Sequence, residues 1–204
     1  MVIPTLDFES ALWQKGYKYI VGIDEVGRGS WAGPLVAAGV ILPSDFIIPQ
    51  GLADSKMVKP QMRQNLSDFI EKNAISTYIA QIPVKTINKI GIGNATQEAF
   101  RQIGRKISPQ AQYCLIDAFH IKYFNQKKQM AIKKGDQICA SISAASIVAK
   151  VYRDNLMKKL HKKYPLYGFA KHKGYGTKLH QEAIIKYGFC KIHRTNYNLG
   201  FLMR

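Results

Sequence analysis

The sequence predicts an α/β protein, a mixed sheet with helices packed on its faces. Short apolar runs of strand length come early, at residues 18–24, 35–42 and 75–82. Helical spacing gathers late, above all over residues 137–162. At least one helical segment separates strand candidates, which is the pattern of a sheet with helices laid against it. No repeat, low-complexity stretch or composition break divides the 204 residues. A single domain over 1–204 is expected, with a helix-loop extension from about residue 164.

In order along the chain, residues 1–16 read as a short amphipathic helix anchored by Leu6, Leu12 and Trp13 and ended by Gly16. Residues 18–24 and 35–42 read as an antiparallel pair joined by a wide Gly- and Pro-containing turn. A loop over 43–56 leads to a helix from about 59 to 73, with Pro60 in its first turn. Residues 75–82 form a third strand, and 92–107 have helical spacing through Ala95, Ala99 and Ile103. Residues 113–117 form a fourth strand that ends on Asp117, and 130–132 a short fifth. The helix over 137–162 is rich in small residues in its first half (Ala140, Ser141, Ser143, Ala144, Ala145, Ser146, Ala149), so it is expected to lie close against the sheet. Tyr164-Pro165 stops it. A Gly-rich loop over 166–176 precedes a helix over 177–187 with Thr177 as N-cap.

Thirty Lys+Arg against 13 Asp+Glu give a net charge of +17. That balance points to a polyanionic partner, nucleic acid before an anionic membrane surface. No run of about 18 apolar residues is present, so no membrane span is expected. The N-terminus lacks a signal-peptide order. Cys114, Cys139 and Cys190 are too few and too scattered for a disulfide framework or a zinc pattern, which fits a cytoplasmic location.

In so basic a chain the acids carry information. Asp24 and Glu25 end the first strand, and Asp117 ends the fourth. Side chains alternate along a strand, so Asp24 and Glu25 share a site only where the strand ends or bulges. Asp154 lies on the same face of its helix as Ser143, Ile147 and Lys150, within about 40° at 100° per residue. Gathered carboxylates repel one another and call for a cation. With no His or Cys at ligand spacing, a hard divalent ion, Mg²⁺ or Mn²⁺, fits. Such pairs of ions serve in-line displacement at phosphorus. Asp45, Asp68 and Asp136 read as turn or cap acids, Asp136 as the N-cap of the long helix. Spacing alone does not bring the four acids together.

Five stretches in order resemble the type 2 ribonuclease H family, ribonuclease HII. They are Asp24-Glu25-Val26-Gly27-Arg28-Gly29, Leu52-Ala53-Asp54-Ser55-Lys56, Leu115-Ile116-Asp117, residues 143–154, and Tyr167-Gly168-Phe169 through residues 172–177. The resemblance implies an RNase H-like fold with about five strands flanked by helices and a helical C-terminal part. It implies that Asp24, Glu25, Asp117 and Asp154 are the catalytic, metal-binding carboxylates. It implies cleavage of RNA in RNA–DNA hybrids, and 5′ of ribonucleotides embedded in duplex DNA, leaving a 3′-hydroxyl and a 5′-phosphate. Type 3 relatives carry glutamate at the last position, whereas Asp154 stands here.

The family assigns 2′-hydroxyl recognition to Gly27-Arg28-Gly29. Tyr175 is implied to stack on the deoxyribose past the ribonucleotide. Lys56, Ser143, Ser146, His172 and Lys173 are implied contacts to the nucleic-acid backbone, although helical spacing alone makes Ser143 and Ser146 packing residues. Two departures stand out: Ala118 replaces the glycine common after the strand-ending Asp, and the tail over 198–204 has no obvious sliding-clamp peptide. A monomer is the simplest expectation. Two other readings remain open on the residues alone, a basic binding module with structural acids and a nuclease that resolves DNA junctions.

Overall fold

The protein is described from a computed structural model covering residues 3–53, 55 and 58–200. Five strands form one sheet: β1 (Ile20–Val26), β2 (Leu35–Ile41), β3 (Ser76–Ile82), β4 (Tyr113–Asp117) and β5 (Gln129–Ile132). Their order is β3-β2-β1-β4-β5. β2 pairs antiparallel with both β1 and β3, while β4 is parallel to β1 and β5 is parallel to β4. The fold is the expected mixed five-stranded sheet flanked by helices.

β2 is buried at all seven positions because both sheet faces are covered, which is why it reads as one unbroken apolar run. Leu35, Ala37 and Ile41 face one cluster with Phe100 and Ile103 of α3 (Val84–Lys106). Val36, Ala38 and Val40 face the opposite cluster, with Leu66 and Ile70 of α2 (Pro60–Asn73) and Ala144, Ala145 and Val148 of α5 (Ala140–Lys163). The small residues of α5 do bring it close to the sheet. A Cβ on Gly22 of β1 would stand 2.4 Å from Ser141 Oγ, so glycine is required there.

Three boundaries differ from the sequence reading. The first helix, α1, is shorter, Asp7–Gln14, and Thr5 instead pairs with Cys139. α3 begins eight residues earlier than expected, at Val84, and turns at Gly91 (φ 77°), so the spacing from Ile92 marks only its second limb. The long helix is two: α4 (Gly135–Ile138) and α5, separated by extended Cys139. Asp136 is therefore not at an N-cap position: Lys134 holds that place for α4 and Asp136 lies in its first turn.

The C-terminal part holds α6 (Phe169–His172) and α7 (Lys178–Tyr187), with Thr177 Oγ1 accepting from His180 N as expected of an N-cap. Its aromatic core, Tyr167 and Phe169, packs on Met157 of α5 and on Ala32 in the loop after β1. Among the described residues no helix is long and apolar enough to cross a membrane.

Candidate active site

The site forms where the parallel pair runs out. β1 and β4 pair only as far as Ile23 with Ile116. Asp24 and Asp117 are the next residues, at the carboxyl ends of adjacent strands, where open sheets place their ligands. No bulge is needed: β1 stays in register with β2 through Val26, Asp24 opposite Ala38 and Glu25 opposite Ala37. Both acids line a cavity of about 420 Å³, together with Gly27, Arg28, Gly29, Ser55, Asp117, Asp136, Ser146, Lys150 and Tyr175.

The acids are held by backbone donors. Glu25 N–H donates to Asp24 Oδ1 at 2.7 Å. Gly135 N–H, the first amide of α4, donates to Asp117 Oδ1 at 2.8 Å and so ties β4 to that turn. Burial first, then the charges of Glu25, Asp117 and Asp136, hold the Asp24 carboxyl well above the usual carboxylate range. That accumulation of negative charge in an all-oxygen donor set suits a hard divalent cation. The residues present therefore fit Mg²⁺ or Mn²⁺. Among the described residues no three of these acids stand in a closed coordination arrangement.

Asp154 is the acid the fold does not bring to the cavity wall. It pairs with Lys150 at 2.8 Å, one turn back on α5, and with Arg63 of α2 at 3.5 Å. Lys150 itself lines the cavity. Asp136 and Lys150 are the site residues that the sequence reading missed. The signal for Lys150 was its place four residues before Asp154 on one helical face. Asp136 had no local signal beyond being an acid in an acid-poor chain.

The Gly27-Arg28-Gly29 segment lines the same cavity. Gly27 has φ 84°, and a Cβ there would meet Arg153 Nε at 2.0 Å, so glycine is fixed twice over. Around Gly29 nothing lies within 4 Å of a Cβ position. Arg28 reaches over the ring of Phe119, 4.6 Å from its centroid.

Two arginines are wholly buried beneath this rim, and backbone carbonyls satisfy most of their donors. Arg153 donates to Pro34 O (3.1 Å), Ala32 O (3.2 Å) and Lys173 O (3.0 Å) and lies 5.6 Å from the centre of the Tyr175 ring. Burial pushes its guanidinium down to about 10, still cationic at neutral pH. Arg194 donates to Gly33 O and Arg28 O, each at 3.0 Å.

Not every implied backbone contact reaches the cavity. Ser146 does, though its hydroxyl donates to Ser143 O at 2.9 Å. Ser143 is fully buried, its hydroxyl without a hydrogen-bond partner among the described residues. His172 is buried and uses both ring nitrogens, Nδ1 accepting from Gly174 N–H (3.2 Å) and Nε2 donating to Tyr167 O (2.7 Å). In this structure Ser143 therefore sits as packing and His172 as loop support. The Lys173 amine folds back to Ala170 O and Lys171 O. Lys56 lies outside the described residues.

Beside Tyr175 runs a chain of neutral histidines. Cys190 N–H donates to His193 Nδ1 at 2.8 Å, which leaves the His193 proton on Nε2. That proton goes to His180 Nε2 at 3.1 Å, and His180 Nδ1–H donates to Tyr175 O at 3.0 Å. This order of protons satisfies these three contacts and leaves the longer approach of His193 Nδ1 to Cys190 O, at 3.2 Å, without a proton.

Each of the five motif stretches now gives at least one residue to one cavity. The sequence model of the Ribonuclease HII family matches residues 21–199. The chain belongs to the ribonuclease HII family. It is a ribonuclease H enzyme, an endonuclease acting on the RNA of RNA–DNA hybrids. A ribonuclease HII of Acetivibrio thermocellus is 46% identical over 196 residues, covering 96% of this chain and 76% of the relative. The crystal structure of the ribonuclease H2 from Pyrococcus horikoshii superposes with a TM-score of 0.73 at 25% identity, over 88% of this chain and 94% of that one. The ribonuclease HII in a complex with PCNA from Archaeoglobus fulgidus has the same fold, with a TM-score of 0.77 at 22% identity over 91% and 97% of the two chains.

Proposed function

We propose that this ribonuclease HII cuts on the 5′ side of ribonucleotides embedded in duplex DNA, as well as along RNA–DNA hybrids, leaving a 3′-hydroxyl and a 5′-phosphate. Its cellular role is removal of misplaced ribonucleotides and RNA primers. One observation carries the reading: Asp24, Glu25 and Asp117 line the same 420 Å³ cavity as Gly27-Arg28-Gly29 and Tyr175. Hydrolytic groups and sugar-reading groups then act on one nucleotide.

Asp24, Glu25 and Asp117 would hold Mg²⁺ or Mn²⁺, with Asp136 adding negative charge beside them, and Asp154 would join them only on release from Lys150 and Arg63. When bound, such ions stabilise the attacking and leaving oxygens at phosphorus. The protein's own groups select the substrate. The 2′-hydroxyl lies in the wide, shallow minor groove of the duplex, where backbone groups free of side chains can come close to it. Gly27 and Gly29 provide that approach. Tyr175, supported by Arg153, stacks on the sugar of the next deoxyribonucleotide. Lys150 and the net charge of +17 draw the polyanion in. The enzyme works as a monomer in the cytoplasm.

The test is a DNA duplex carrying one ribonucleotide, incubated with Mg²⁺, Mn²⁺ or EDTA beside an all-DNA duplex. Cleavage is expected only with metal and only at the ribonucleotide. Asp24→Asn and Asp117→Asn should each lower kcat by at least about 100-fold, ~2.7 kcal/mol of transition-state stabilisation, with duplex binding retained. Cutting of the all-DNA duplex, or full activity in either variant, overturns the assignment.

A further inference from the structure

The loop that carries Gly27-Arg28-Gly29 does not hold its own shape. Residues 192–194 do part of that work by pairing alongside residues 31–33. Gly33 N–H donates to Ile192 O at 2.9 Å and Arg194 N–H to Trp31 O at 2.8 Å, around a bridge between Ala32 and His193. This pairing brings the Arg194 side chain, fully buried, under the loop. Its Nε donates to Gly33 O and its Nη1 to Arg28 O. The Tyr197 hydroxyl donates to the same Arg28 carbonyl and accepts from Arg194 Nη1 at 3.2 Å.

Two donors on one carbonyl fix the plane of a peptide. A trans peptide is flat, with its C=O and the following N–H pointing in opposite directions. Arg28 C=O is drawn inward to Arg194 and Tyr197, so the N–H of Gly29 points outward. Gly29 lines the cavity, has no atom within 4 Å of a Cβ position, and its amide meets no acceptor among the described residues.

We propose that Arg194 and Tyr197 are positioning residues for substrate recognition, which fix the Arg28–Gly29 peptide so that the Gly29 amide is presented to the ribonucleotide. The inference rests on the reading of this segment as the ribose reader. Neither residue touches substrate. Each acts through a carbonyl on the far side of the peptide that does. The adjoining His193 extends the same arrangement to the other recognition element, because its proton chain through His180 ends on the carbonyl of Tyr175. The segment 190–197 thus sets both halves of sugar recognition from below.

Tyr197→Phe removes one hydroxyl and leaves the ring. It should lower kcat/KM on a duplex with a single ribonucleotide about fivefold, the scale of one hydrogen bond. The variant should remain folded at the assay temperature, and affinity for an all-DNA duplex of the same sequence should not change. Arg194→Lys, which loses the second donor to Arg28 O, should lower kcat/KM further, and Tyr197→Phe decides alone if that variant does not fold. Wild-type kcat/KM in Tyr197→Phe overturns the proposal. So does a loss matched by equal weakening on all-DNA duplex, which would mark a general rather than a sugar-specific role. Failure of the wild type itself to cut the ribonucleotide duplex strikes the functional reading instead, and this inference with it.

Discussion

Ala118 sits directly behind a site carboxylate with φ 56°, in the left-handed region. A side chain there costs roughly 1–2 kcal/mol. The surroundings enforce it: Ala118 N–H donates to Ile132 O at 3.0 Å, Phe119 N–H to Asp117 O at 2.6 Å, and Asp117 is held by Gly135. Ala118→Gly relieves the strain and adds some chain entropy to the unfolded state. A net gain of about 0.5–1 kcal/mol follows, read as a higher urea midpoint. An unchanged or lower midpoint would count against strain at this position. This substitution was visible in the sequence, as were Asp24, Glu25 and Asp117, because acids stand out at the ends of apolar runs. Asp136 was not. It follows Lys133-Lys134-Gly135, which reads as a turn and cap, and no local pattern reveals that Gly135 N–H is spent on Asp117.

The helix α5 carries Ser146, Lys150, Arg153 and Asp154, so its seating decides the site. Its first amides need acceptors, yet Cys139 provides no side-chain cap. Glu9 of α1 supplies one from a distance, its Oε1 accepting from Ser141 N–H at 2.8 Å and from Cys139 Sγ at 3.2 Å. Glu9 is only 1% exposed, an acid buried for this purpose. Glu9→Ala should cost about 1–3 kcal/mol, a lost cap plus an unsatisfied buried amide. Thermal unfolding measures it, and a loss below ~0.5 kcal/mol would remove Glu9 from this role. Sequence patterns found α5 but not its break at Cys139, since small and apolar residues continue across the break. They missed the first limb of α3 because Lys85, Asn88 and Lys89 dilute its apolar face. The N-cap of α7 was legible because Thr177 acts on its own next turn.

Across the whole molecule, the C-terminal part is tied together internally by neutral histidines. Burial pushes both His180 and His193 down to about 4. In the unfolded chain each titrates near 6.5. Between those values the unfolded state binds more protons, so the contribution is complete above pH ~6.5 and is lost as pH falls toward ~4. Protonating His180 also sets two N–H groups against each other at the His180–His193 contact, and protonating His193 sets its Nδ1–H against Cys190 N–H. The Asp24 carboxyl, held high, works in the opposite sense, so the histidine contribution is best isolated by comparison. The urea midpoint should fall from pH 7.5 to pH 5, and His193→Gln should flatten that fall. An equally steep fall in the variant would assign the acid sensitivity elsewhere. None of this tertiary pairing was readable in the sequence, where the tail showed only as aromatic and basic.

The contact between Arg194 and Arg28 spans 166 positions. A chain is made from its N-terminus at ~5–20 residues per second, so about 8–33 s separate the two residues during synthesis. Throughout that interval β1 and its recognition loop exist without Arg194 and Tyr197, the donors that turn the Arg28–Gly29 peptide. The nascent sheet has its first two acids early, but the donors that set the Arg28–Gly29 peptide arrive 166 positions later. A chain that stops between residues 175 and 194 has every residue that lines the acid-rich cavity and, on the proposed reading, no donor to set its sugar-facing peptide.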